Sequence, residues 1–368
     1  MKFSISRDAL LKPLNLVAGV VERRQTLPVL SNVLLSLDGD RLSMTGTDLE
    51  VELVGRIQLP ERGESGEVTV PARKLADICK SLPDSARLEF SLDDQRLQLR
   101  CGRSRFTLST LPASDFPSIE QGTASVEFAL PQAQLKRLID RTSFSMAQQD
   151  VRYYLNGTLF EIAPKRLRAV ATDGHRLALA THEAEFAGVR NEVHAILPRK
   201  GVLELQRLLQ DPEAEARVQI GASLFRVVMP DFTFTSKLVD GRFPDYTKVL
   251  PKPAGKTLSA SRSEMKNALS RASILSNEKF RGVRLIIESG GMQILASNQE
   301  HEEAEESIGI DYNGERVEIG FNVGYLVDVL GVLGGESVRV QFADGSSSVL
   351  MEDPASEGAL YVVMPMRL

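Results

Sequence analysis

Three short segments of the chain, Thr47-Asp48 in LSMTGTDLEVEL, Thr172-Asp173 in LRAVATDGHRLAL and Ser297-Asn298 in MQILASNQEHEEA, share one pattern and stand 125 residues apart. Two equal intervals of that length mark an internal repeat, and a long-period repeat governs how every shorter motif is read. The start of each repeat recurs too, as Phe3-Ser-Ile-Ser with Leu10, Phe128-Ala-Leu-Pro with Leu135, and Leu258-Ser-Ala-Ser with Met265. A second helical pattern follows a later strand in VTVPARKLADICKSL, AILPRKGVLELQRLL and IGFNVGYLVDVLGVL. The 368 residues therefore divide into three domains, placed at 1–122, 123–250 and 251–368.

Within each repeat, apolar residues at helical spacing predict short amphipathic helices over 8–20, 72–81, 131–141, 198–209, 261–272 and 322–333. Pro71, Pro131 and Pro198 suit first-turn positions, and Ser261 with Glu264 makes a capping box. The remainder alternates with period two, as in Arg96-Leu-Gln-Leu-Arg and Ser337-Val-Arg-Val-Gln-Phe. Turns are expected at Asp38-Gly39-Asp40, Asn156-Gly157 and Asp344-Gly345. The expected fold class is α+β, with two helices packed on antiparallel sheet in each repeat.

Charge is distributed unevenly. The six predicted helices carry a net +7, although the chain as a whole is at −5. Basic side chains such as Arg73, Lys74, Lys136, Arg137, Arg199, Lys200 and Lys266 interrupt the apolar stripes and should project from the solvent faces. For a single helix this reads as an ordinary solvated face. Four helices of one sign on an acidic chain instead point to a polyanion held through phosphates without base reading. Cys79 and Cys101 are too few for a disulfide framework and suggest a reducing, cytoplasmic setting. No stretch reads as a signal peptide or membrane span.

The segments MKFSISRDALLKPL, TLPVLSN, VPARKLADIC, GRSRFTLSTLPASDFP, QDVRYYLNG, ATDGHRLA, FTSKLVDGRFPDY, ILSNEKFRGVRL and YVVMPMRL resemble the bacterial DNA polymerase III beta subunit family, the sliding clamps, along the whole chain. The resemblance implies a head-to-tail homodimer of three-domain subunits closing a ring, with helices lining the hole and sheet outside. Twelve helices spaced ~8–10 Å apart would give a circle of axes roughly 30–38 Å across, enough for duplex DNA. It implies a processivity factor that tethers the replicative polymerase and other DNA-processing proteins, with no catalysis, cofactor or metal. Its partners would be double-stranded DNA without sequence preference, the polymerase, and the clamp loader and other proteins through short linear peptides.

Carried over position by position, the resemblance assigns DNA contacts to Arg24, Arg73, Gln149, Tyr153 and Tyr154, joined by Arg199 and Lys200 from the basic helices. The peptide pocket would draw on Leu155, on Thr172, Gly174, His175, Arg176 and Leu177, and on Pro244 and Val249. It would be completed by Asn322, Tyr325 and Ser348, then Val362, Met364, Pro365, Met366, Arg367 and Leu368 at the end of the chain. Lys248 and Ser346 stand where the family pocket carries Arg and Val. The subunit contact would set Lys74, Ile78, Arg103, Arg105, Phe106 and Leu108 against Ile274, Leu275, Glu300 and Glu303. Opposite signs in the first and third domains are what a head-to-tail contact needs.

Two other readings stand beside this one. The run Glu300-His301-Glu302-Glu303-Ala304-Glu305-Glu306 is rich enough in ligands for a metal-dependent enzyme on nucleic acid, although alternating acids on a strand do not converge on one point. A peptide-binding scaffold without a DNA role is the third. Asp173 near His175 suggests a relay, but no nucleophile elbow, phosphate loop or zinc motif accompanies it.

Overall fold

The computed structural model describes residues 1–21, 27–119, 122–250 and 255–367. Among the described residues six α-helices form, at α1 (Arg7–Val20), α2 (Ala72–Ser81), α3 (Gln132–Thr142), α4 (Arg199–Leu208), α5 (Arg262–Ala272) and α6 (Val323–Val332). Three of the starts are set by short polar side chains: Ser6 accepts from the Ala9 amide, Ser261 from Glu264 and Asn322 from Gly324. The three prolines fall one residue earlier than the sequence suggested. Pro71, Pro131 and Pro198 each end a strand at the outer edge of its sheet, where a missing N–H removes no ladder bond. Among the described residues no helix is long and apolar enough to cross a membrane.

The chain packs as two compact bodies, and the central repeat contributes to both. The first (Met1–Leu135, Ala187–Val189, Lys200–Leu238) holds a four-stranded and an eight-stranded antiparallel sheet. Leu10, Leu14 and Val17 of α1 and Leu75 and Cys79 of α2 are fully buried there. The second (Lys136–Phe186, Arg190–Arg199, Val239–Leu368) is built on one twelve-stranded sheet. In it α5 and α6 bury Met265, Leu269, Leu326 and Leu330 in a cluster with Phe321, Phe342 and Tyr361.

The repeated Thr-Asp pair is turn chemistry. Thr47 accepts from the Leu49 amide and donates to the Val51 carbonyl, while Asp48 accepts from the amides of Glu50 and Val51. Thr172 and Asp173 repeat those four bonds on Gly174, His175 and Arg176. Asn298 does the corresponding work for Glu300 and Glu302, in a turn one residue longer. Asn156-Gly157, by contrast, is no hairpin turn. Gly157 begins a strand opposite Pro198, where a Cβ would lie 2.3 Å from the Leu197 carbonyl oxygen.

Strand pairing relates the repeats residue by residue. Leu53, Ala178 and Ala304 lie opposite Gly46, Ala171 and Ala296, themselves 125 residues apart. Phe106, Phe234 and Tyr361 hold matching places in the closing strand of each repeat, opposite Leu99, Val227 and Met351. Two joints between repeats use these positions: Phe234 pairs with Leu53, and Tyr361 with Ala178. The third pair, Phe106 and Ala304, is not made within the chain. The strand Ser104–Ser109 is the last of its sheet, and Glu303–Asp311 pairs on its second side only through Ile310 and Asp311.

Candidate functional site

In the second body the chain end and the His175 turn come together. The Met364 amide donates to the His175 carbonyl at 2.9 Å and the Met366 amide to Gly320 at 2.8 Å, so the tail runs from the turn to the edge strand Val317–Asn322. Beneath it Leu155, Leu177 and Val362 are buried with Phe243 and Tyr246, and Leu350 is partly buried against them. Met364, Pro365 and Met366 are half-exposed, and Pro244 and Val249 are exposed. Thr172, Gly174, His175, Asn322, Tyr325, Ser348 and the exposed Arg367 are the other positions that the resemblance assigns to a pocket. Leu368 lies outside the described residues.

Arg176 plays a different part from the one its exposed neighbours suggest. Its guanidinium donates to Asp173 at 3.0 Å and to the Phe144 carbonyl at 2.8 Å, pairs with Asp328, and stacks 4.6 Å over the Tyr325 ring. With its donors committed, it braces the turn. Asp173 is likewise occupied by backbone amides and Arg176, and His175 instead stacks on Tyr325 with centroids 6.3 Å apart. The relay is therefore not formed. Gly174 has φ +89°, and a Cβ there would meet Arg152 at 2.9 Å. Arg152 is itself tied to Asp150, whose carboxyl is held down to about 2, first by that hydrogen bond.

Tyr246 closes the segment FTSKLVDGRFPDY, but the sequence assigns it no role. Its hydroxyl donates to Glu161 at 2.7 Å and accepts from Arg168 at 2.9 Å, and burial followed by the Glu161 hydrogen bond pushes the phenol up. These bonds pin the wall carrying Pro244 and Val249. Glu161, Glu192 and His194 bring ligand atoms within 4.8 Å of one another. Both carboxylates already have cationic neighbours, Arg168 for Glu161 and Arg166 for Glu192, each at 3.4 Å. That network explains the cluster without an ion.

The DNA-contact positions differ in what the structure leaves available. Gln149 sits at φ +57° on a projecting loop with Val151 at 95% and Tyr153 at 58% exposure, and Tyr154 packs edge-on against Tyr153. Val151 lies in the segment QDVRYYLNG, but the sequence assigns it no role. Arg73 is exposed and reaches the Val21 carbonyl at 3.4 Å. Arg199 donates to Met146, and Lys200 forms an ion pair with Asp48, whose side chain is buried. Lys136 pairs with Asp140, Arg271 with Glu306, and Arg207 with Glu204. The helices' formal charge therefore overstates the cation free for phosphate. Arg24 lies outside the described residues.

At the candidate subunit contact, Phe106 is half-buried and Leu108 is already buried in its own sheet, while Ile274 is 76% exposed beside a half-buried Leu275. Lys74, Arg103 and Arg105 are exposed and Ile78 is half-buried. The acidic run is not one alternating strand. Glu300 and Glu302 lie in the hairpin turn, and the strand starts at Glu303, with Glu306 turned to Arg271. Cys79 is buried, which pushes its thiol up to about 11, and Cys101 is half-buried.

A threefold repeat of helix pairs on sheet, joined edge to edge with one pairing left open, is the construction of a clamp. Comparison with known proteins makes the class specific. The profiles for the N-terminal, central and C-terminal domains of the DNA polymerase III beta subunit match residues 1–120, 129–245 and 247–367. The beta sliding clamp of Pseudomonas putida is 58% identical over 368 residues, all of both chains. The crystal structure of a DNA polymerase sliding clamp from Pseudomonas aeruginosa covers all of both chains at 56% identity with a TM-score of 0.97. That of a sliding clamp from Bartonella birtlesii bound to griselimycin is 36% identical, again over all of both chains, with a TM-score of 0.96. The chain belongs to the DNA polymerase III beta subunit family. It is a DNA sliding clamp, a non-catalytic processivity factor that works as a homodimer with DNA, the polymerase and the clamp loader.

Proposed function

We propose that two subunits close the clamp by pairing the strand Ser104–Ser109 of one with Glu303–Gly309 of the other, Phe106 opposite Ala304. The open third joint carries this reading, because its two counterparts are made within the chain at equivalent residues. Antiparallel pairing then sets Arg105 opposite Glu305 and Thr107 opposite Glu303. The faces agree: Phe106 and Leu108 share one face with Ala304, while Arg105 shares the other with Glu303 and Glu305. A Cys101→Ser background carrying Arg105→Cys and Glu305→Cys should cross-link into a covalent dimer with a short bismaleimide. Shifting one cysteine to Glu306 turns it to the other face and should abolish the product. Equal cross-linking of both would refute the register.

The domains are taken as 1–122, 123–250 and 251–368, working in the cytoplasm. DNA is held by Arg24, Arg73, Arg199 and the loop bearing Gln149, Tyr153 and Tyr154, with Lys200 bracing Asp48 instead of binding phosphate. Short peptides from the polymerase, loader and other partners occupy the pocket around Leu177, Met364 and Val362. Replacing Gln149, Tyr153 and Tyr154 by Ala should weaken DNA binding and leave the dimer intact. The affinity should fall with salt at about −0.9 per phosphate contact in log–log form. A strong base preference, or an affinity indifferent to salt, would count against this role. Closed circular DNA should retain the ring after linear DNA has shed it.

A further inference from the structure

The repeat places a second cleft at the first joint, wholly within the first body. It has a volume of about 460 Å³ and is lined by Leu49, Pro117, Ile119, Leu224, Lys237 and Leu238 among others. These positions correspond to those of the proposed peptide pocket. From Phe234 matching Tyr361, Lys237 and Leu238 correspond to Met364 and Pro365; from Val227 matching Met351, Leu224 corresponds to Ser348. The backbone bears this out: the Lys237 amide donates to Glu50 at 2.8 Å as Met364 does to His175, and those acceptors are 125 residues apart. Pro117 follows the buried Phe116 as Pro244 follows the buried Phe243. The wall is held by Glu52, a buried carboxylate that accepts from the Ile119 amide at 3.1 Å.

A separate observation marks this cleft as a surface shaped for contact. Leu49 occupies the turn position that Gly174 fills in the next repeat, and it does so at φ +79°. Leucine tolerates that backbone region only under strain, and strain of this kind persists where the surrounding structure or function demands it. Leu49 nevertheless stays 38% exposed and recovers little burial. Lys237 is about half exposed, its nearest carboxylate being Glu50 at 3.7 Å. Apolar walls and a loosely paired ammonium fit an extended peptide with aliphatic or aromatic side chains next to an acid.

We propose that the Leu49–Leu238 cleft is a second linear-peptide site, selective for apolar segments that carry a carboxylate. The proposal rests on the assignment of the first peptide pocket, and the test separates the two. The probe is a fluorescein-labelled Leu-Asp-Leu-Phe peptide, titrated into the dimeric protein and followed by anisotropy. A chain ending at Pro365, or full-length Met364→Asp, should lose the tight phase and keep a weaker one. Leu224→Asp in that background should reduce the remaining phase at least about tenfold. Lys237→Glu should reduce it about two- to fivefold, less at high salt. Leu49→Gly should weaken it while the melting temperature stays level or rises, a combination that loss of fold cannot produce. A probe with Lys in place of Asp should bind the weak site less well. Absence of any residual phase, or a residual phase indifferent to Leu224→Asp and Lys237→Glu, overturns the second site. A tight phase that survives both changes at the chain end, with Leu224→Asp removing a weaker one, would overturn only the first pocket.

Discussion

Replacing Ile274 and Leu275 together by Ser is expected to give a folded monomer. Ile274 is 76% exposed in the single subunit, on the short turn that follows α5. Fully burying an exposed aliphatic side chain of this size contributes about 1.5–3 kcal/mol, and because Leu275 is already half-buried the pair supplies about 2–4 kcal/mol to each contact. The Arg105 and Glu305 rim adds little to that, since exposed ion pairs are worth about 0–1 kcal/mol each. A two-subunit ring makes the same contact twice, so both are lost together and closure fails cooperatively. Sedimentation should show a species of half the mass. The far-ultraviolet spectrum should not change, because no core contact is removed. Partner-peptide affinity should also be retained, because every residue of that pocket comes from one chain. A double variant that still sediments as a dimer would refute the assignment of these residues.

The helices and the repeat were legible because both are periodic: apolar spacing placed all six helices to within a residue or two, and the 125-residue interval is the register of the sheet itself. What the sequence could not disclose was partnership. Lys200 and Arg73 look alike in a charge count, yet one is bound to buried Asp48 and the other is exposed. Arg176 enters the pocket only through the family resemblance, and it takes Asp328 and Tyr325, about 150 residues further along the chain, to make it a brace. Tyr246 was given no role, since that role depends on Glu161 and Arg168 in neighbouring strands. Asn156-Gly157 misled for a related reason. The glycine is required by the approach of a carbonyl from another strand, which no local rule contains.

Ending the chain at Pro365 should abolish partner-peptide binding at low micromolar protein while leaving the dimer and the fold in place. Strand Ala359–Val363 is paired on both sides, with Arg176–Ala180 and with Val349–Met351, so removal of the tail beyond Pro365 does not open the sheet. Among the described residues, the hydrogen bond lost to the fold is that of Met366 to Gly320, worth about 0.5–1.5 kcal/mol net. The loss to the pocket is larger. Met366 is half-exposed at the end of the tail, where a flexible thioether can follow the shape of different peptides. An anchoring apolar contact costs about 2 kcal/mol or more of binding when it is removed, roughly thirtyfold, and Met366 is expected to be one. Restoring Met366 alone should recover part of the affinity, since the Gly320 bond re-forms and with it the wall. Unchanged affinity in the shortened chain, measured by anisotropy with the melting temperature shifted by no more than a few degrees, would remove the tail from the site.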